Sequence, residues 1–247
     1  MSKVNRLRAA ETGHFAPVAE EARKPRSDGE QSRERLLLAA LRLFGERGFS
    51  RTSTRDIAQA AGANAAAISY YFGDKAGLYR AALKESSTGL KQGEHEAGCD
   101  DVGLFDQPHF TLRRSLEAFF AQQMAPLMHG ELGQLCLRLW FREMLEPTGM
   151  WDEAMNQSVK PAHAALVRIL CRHLERALPD DGVHRLAFSI AGLAYQVMIT
   201  HDLTAAIRPQ LVDGAGAMQQ WAASLVMYAE AMVAAEQARA KASKVSP

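Results

Sequence analysis

Residues 48–79 read GFSRTSTRDIAQAAGANAAAISYYFGDKAGLY, and no other stretch of the 247-residue chain narrows its fold as much. Just before it, Leu36, Leu37, Ala40, Leu41, Leu43 and Phe44 recur at spacings of three and four. That period places them on one face of a helix over 31–47, with Arg33, Glu34, Arg42 and Glu46 mostly opposite and Gly48 as its stop. Ser53 caps a second helix, and Asp56 three residues on supplies a short form of the capping box. Ile57, Ala58 and Ala61 then turn inward. Gly62 permits a sharp bend, Ala63 is small enough to sit under it, and Asn64 is a favourable N-cap for a third helix over Ala65–Phe72. A fourth starts near Lys75 and runs to about Leu90.

Two short helices joined by a Gly-containing turn form a helix-turn-helix, whose second helix enters the major groove. The same spacing also serves an ordinary helical corner inside a bundle. The individual residues go further. Ser53-Thr54, Ile57-Ala58, Ala61-Gly62, Ala63-Asn64, Tyr70-Tyr71-Phe72, Lys75 and Leu78 together resemble the DNA-binding domain of the TetR/AcrR family of bacterial regulators, over roughly residues 32–80. The resemblance implies that Ser53 and Thr54 meet a phosphate at the start of the second helix. It gives Arg55 a fork-shaped contact to a guanine edge, and makes Tyr71 and Lys75 clamps on backbone phosphates. Each has a plainer alternative: Arg55 paired with Asp56 or Glu46, Tyr71 packed as a core aromatic, Lys75 simply solvated. Ala65-Ala66-Ala67 departs from the family pattern, because alanines only touch a thymine methyl or admit close approach. Base reading then falls to Arg55, Asn64, Ser69 and Tyr70, helped by DNA shape.

Beyond the head, the pattern is helical throughout, and the fold class expected is all-α. Helices are predicted near 110–128, 131–145, 150–178, 182–201 and 214–239, with Pro126, Pro147, Pro161, Pro179 and Pro209 at or near the breaks. Pro161 should begin a helix or kink a long one. Residues 92–108 read as a loop. The domain division expected is a disordered tail over 1–28, the head over 29–80, a helical body over 81–240 and a short tail over 241–247. Arg23, Lys24 and Arg26 are a candidate basic arm within the first tail. Charge divides along the same line. Residues 1–92 hold 16 Lys/Arg against 10 Asp/Glu, a net +6, whereas 93–247 hold 13 against 18, a net −5. A basic end suits phosphate and an acidic body does not.

The last two helices, about 182–201 and 214–239, are apolar on more than one face, which calls for more cover than one subunit easily supplies. The reading is a homodimer through these helices, holding paired heads on a palindromic double-stranded operator; the alternative is a pair of central core helices in a monomer. The run Trp140-Phe141-Arg142-Glu143-Met144-Leu145-Glu146-Pro147, with Met150 and Lys160-Pro161, resembles the C-terminal domain of the CecR-like branch. In the TetR family such a body encloses a small-molecule effector. Candidate pocket residues are Phe120, Met124, Trp140, Glu143, Met144, Met155, His163 and Met198, large adaptable side chains with a few polar groups among them. Glu143 either neutralises a cationic ligand or pairs with Arg142, Arg138 or Lys160.

Catalytic, metal and cofactor readings find little support. Cys171 and His173 are two apart and point to different helix faces, and His95 with Cys99 lacks a second pair. There is no phosphate-cradling Gly loop, nucleophile elbow or HExxH helix. The three cysteines are scattered, as expected of reduced thiols in a cytoplasmic protein, and no apolar run reaches bilayer-spanning length. The function expected is a ligand-responsive regulator, most often a repressor in such a family. The competing readings are a sequence-tolerant DNA-organising protein and an all-α metal-dependent enzyme.

Overall fold

The structure, a computed structural model, describes residues 28–88, 103, 105–152, 155–213 and 216–245. The candidate basic arm and nearly all of the 92–103 stretch lie outside them. Among the described residues every regular element is helical: α1 (Asp28–Arg47), α2 (Thr54–Ala60), α3 (Ala65–Phe72), α4 (Lys75–Thr88), α5 (Leu112–Met124), α6 (Gly130–Leu145), α7 (Lys160–His173), α8 (Asp181–Ile199), α9 (His201–Ile207) and α10 (Ala217–Val245). The all-α expectation is met.

The first four helices wrap one small core. All six apolar residues assigned to the inner face of α1 are buried, as are Ile57, Ala58 and Ala61 of α2 and Ile68 of α3. Phe44 meets Tyr79 edge-on at 4.9 Å, and Phe49 meets the same ring at 5.1 Å. This core does not close by itself. Cys136 and Leu139 of α6 belong to it, and α6 lies along both α1 and α4. α4 continues to Thr88, and α6 packs against both α1 and α4.

The body packs α5 against α10 and α7 against α8 around Phe105, Phe119, Phe120, Leu166, Ile190 and Val226. Two helices are shorter than the sequence pattern predicts. The 150–178 segment is broken: a π-helical turn over Met155–Val159 runs into α7, which carries Pro161 at its second position and stops at His173. The stop comes from Glu175, whose φ of +53° turns the chain into the left-handed region, so that the Arg176 N–H reaches back to the Cys171 carbonyl at 2.9 Å. A side chain with a Cβ is strained there, so Glu175→Gly should raise stability by about 1 kcal/mol, read as an upward shift in the urea midpoint. The 182–201 segment likewise ends at Ile199, and the short α9 after it was not foreseen. Its start is set by Thr200, whose carbonyl accepts from the Thr204 N–H at 2.7 Å.

Candidate nucleic-acid interface and ligand cavity

The head is built to hold one short helix rigid and uncovered. The Ser53 hydroxyl accepts from the Asp56 N–H at 3.1 Å, and the Asp56 carboxylate accepts from the Ser53 N–H at 3.2 Å, which completes the expected capping box. The same hydroxyl donates to Asp56 at 2.7 Å, and these bonds hold the carboxyl of Asp56 below the usual carboxylate range. Gly62 takes φ +59° between α2 and α3, and Asn64 Oδ1 accepts from the Ala66 N–H at 2.9 Å. The Asn64 carbonyl oxygen is thus spent on the cap, and its amide N–H groups remain for any outside partner. Thr52 fastens the loop before α2 by donating to Gly48 O at 2.8 Å.

Outward from this frame stand Arg55, Ala65, Ala66, Ser69 and Tyr70, the last 82 % exposed, while Thr54, Ala67 and Tyr71 are half-buried. Among the described residues no carboxylate lies within ion-pair distance of Arg55, so neither Asp56 nor Glu46 takes it up. Tyr71 packs edge-on to Tyr70 at 4.8 Å. Lys75 is not simply solvated: its ammonium lies 4.3 Å from the centre of the Phe49 ring, which fixes the stem beside the loop that leads into α2.

A cavity of about 670 Å³ opens in the body. Of the eight residues expected around it, Trp140, Met144, Met155, His163 and Met198 line it. Three do not. Phe120 and Met124 are buried in the packed core, turned from the cavity by their places on α5. Glu143 is fully buried and faces the head. Its carboxylate accepts from the Tyr79 hydroxyl at 2.6 Å and from the Thr148 N–H and hydroxyl at 2.9 Å each. It pairs with none of Arg142, Arg138 or Lys160, because α6 puts it one position away from its cavity face. Burial first, and then the bond to Glu143, push the Tyr79 phenol well above its ordinary range.

The residues that sequence reasoning missed fall in two groups. Trp151, Phe188 and Tyr195 complete the aromatic wall: the rings of Trp140 and Trp151 meet at 87° with centres 5.5 Å apart, and Tyr195 lies 5.7 Å from Trp140. His163 faces His184 across a 3.0 Å contact between ring nitrogens, and burial lowers its pKa. The second group joins the head to the body. Arg142 donates from Nε to Gly45 O at 3.0 Å and from Nη2 to Glu46 O at 3.1 Å, which places a cation at the carboxyl end of α1. α6 thus carries the cavity on one face and the head on another. Its 3.6-residue period was visible; its two unlike partners were not.

Residues 36–82 match the sequence profile described as bacterial regulatory proteins, tetR family, and residues 112–236, just over half of the chain, match the C-terminal domain of the HTH-type transcriptional dual regulator CecR. The chain is 33% identical over 144 residues to the CecR regulator of Shigella flexneri, an alignment covering 58% of this chain and 64% of that one, so it spans slightly less than two thirds of that relative. It is 30% identical over 165 residues to the HTH-type transcriptional regulator BetI of Burkholderia thailandensis, covering 65% and 76% respectively. In fold it is similar to native NalD of Pseudomonas aeruginosa, described as the secondary repressor of the MexAB-OprM multidrug efflux pump, with a TM-score of 0.59 at 22% identity over 83% of this chain and 98% of that one. With head and body both matched in order along one polypeptide, the chain belongs to the TetR family of bacterial regulatory proteins, in the branch that carries a CecR-type C-terminal domain.

Proposed function

We propose that the protein is a ligand-responsive transcriptional repressor that grips a palindromic operator as a homodimer and lets go when a small molecule fills the body. The observation that carries this reading is α6, one rigid helix that walls the cavity through Trp140 and Met144 and completes the head core through Cys136 and Leu139. A ligand that prefers one setting of α6 changes the setting of the head, and only that difference in affinity shifts DNA occupancy. Ser53, Thr54, Tyr71 and Lys75 are assigned to phosphates, and Arg55, Asn64, Ala65, Ala66, Ala67, Ser69 and Tyr70 to the groove.

The dimer is assigned to α8 and α10. In support, large apolar side chains stand outward on them: Ile199 is 61 % exposed, Met227 55 % and Tyr228 46 %. Gly192 of α8 has nothing within 4 Å of where a Cβ would sit, which leaves room for a second helix to approach. Among the described residues no helix is long and apolar enough to cross a membrane.

Light scattering together with gel shifts on genomic fragments, in excess competitor DNA, tests the reading. A two-chain species that selects one inverted repeat is expected; a monomer, or equal affinity for all fragments, rejects it. Arg55→Ala should then lose about 1–3 kcal/mol and relax specificity at one base pair. Lys75→Ala should weaken all sequences alike and reduce the salt slope by about one, together with a small loss of stability from the vacated Phe49 ring.

A further inference from the structure

The cavity wall has a charge pattern that narrows what can enter. Among the described residues that line it there is no carboxylate, and Glu143, the acidic side chain of the neighbouring α6 turn, is buried facing the head. Among the described lining residues the one formal charge is Lys160, an exposed side chain at the start of α7. Its ammonium donates to the uncharged Asn156 Oδ1 at 2.7 Å, and no described carboxylate lies within ion-pair distance of it. The chain there is the π-helical turn over Met155–Val159, a widened coil of the kind found at binding sites. Ser158 in the same turn and Trp151 just before it line the cavity, and each has a buried polar atom with no protein partner.

The deeper wall is aromatic and stiff. Trp140 and Trp151 stand nearly perpendicular, with Tyr195 tilted against the first, an arrangement that takes a flat ring edge-on to one face and stacked on another. Aromatic faces also attract cations. Among the described lining residues a cation would meet no counter-carboxylate and would face Lys160 as a like charge, which opposes what the rings return. We propose that the cavity takes an amphipathic organic acid, its flat apolar body between Trp140, Trp151 and Tyr195 and its one anionic group against Lys160 at the rim. The inference rests on the cavity being the effector site, and it names the chemical class of that effector.

Two fluorescent probes that share a skeleton test it on the full-length protein: 8-anilinonaphthalene-1-sulfonate and its uncharged parent N-phenyl-1-naphthylamine. In Lys160→Gln the affinity for the sulfonate, relative to the parent, should fall about tenfold, as for loss of one charge-assisted contact, while the parent binds as before and Lys160→Arg retains the preference. Comparing ratios removes the intrinsic difference between the probes. Ala191→Leu on α8 and Ala162→Leu on α7 both narrow the cavity and should weaken both probes, with circular dichroism confirming the fold. If the narrowing variants weaken both probes but Lys160→Gln leaves the ratio unchanged, the acid class is wrong and the cavity still binds ligands. If neither probe responds to either folded narrowing variant, the cavity is not the binding site and both readings fall.

Discussion

Glu143→Ala should lower the free energy of unfolding by about 3 kcal/mol, since the change strips partners from the buried Tyr79 hydroxyl and the Thr148 N–H at once. The carboxylate is fully buried and bridges α4 of the head to the segment that follows α6, so nothing in the surroundings replaces it. Removing the other end alone, by Tyr79→Phe, leaves Thr148 to satisfy the carboxylate and should cost less, about 1–2 kcal/mol. The double variant should show a coupling of about 1 kcal/mol or more, because the two side chains share one bond at 2.6 Å. Urea titrations of the four proteins measure this. Additive losses would mean that the bond does not join head and body energetically. In gel shifts the Glu143→Ala protein should also respond less to an effector, since the buried bond that ties α6 to Tyr79 of α4 is then gone.

Gly133→Ala should be as damaging, for a steric reason. A Cβ built at Gly133 falls 1.9 Å from the carbonyl oxygen of Pro126, and no neighbouring side chain can yield, since the obstruction is backbone. Either α6 slides along its axis or the Ala125–Met128 turn moves, and both disturb the seat of Cys136 and Leu139 in the head core. A loss of about 3 kcal/mol is expected, at the upper end of overpacking costs. Ala191, which borders open cavity space rather than backbone, is the contrasting site. A thermal midpoint for Gly133→Ala within a degree of the parent protein would show that the turn gives way freely.

The head was legible because its instructions are local. Ser53, Asp56, Gly62 and Asn64 act on backbone groups no more than three residues away, and the structure contains each of those bonds and that turn. The inner face of α1 was legible for a similar reason, since burial on a helix follows a fixed period. Helix ends were harder. Glu175 in a left-handed conformation and Thr200 between α8 and α9 carry no sequence signal of the kind Gly or Pro provides. The cavity was partly legible: a run rich in Trp, Met and Phe announces adaptable apolar surface, but not which side of the helix is left uncovered. Phe120 and Glu143 were assigned to the cavity on residue type, and the rotation of α5 and α6 in the packed body sends both elsewhere.

From the order of residues alone come the helical class, the capped pair α2 and α3, and the basic end set against an acidic body. Each depends on contacts within a turn or two of helix, or on charge that any conformation carries. Only the packed molecule shows that α6 belongs to the head core as well as to the cavity, that Glu143 holds Tyr79 and Thr148, and that Lys160 is the charge among the described residues lining the cavity. Those facts join residues far apart in the chain, 64 positions in the case of Tyr79 and Glu143, and the sequence has no term for how two helices rotate against each other until their side chains interlock.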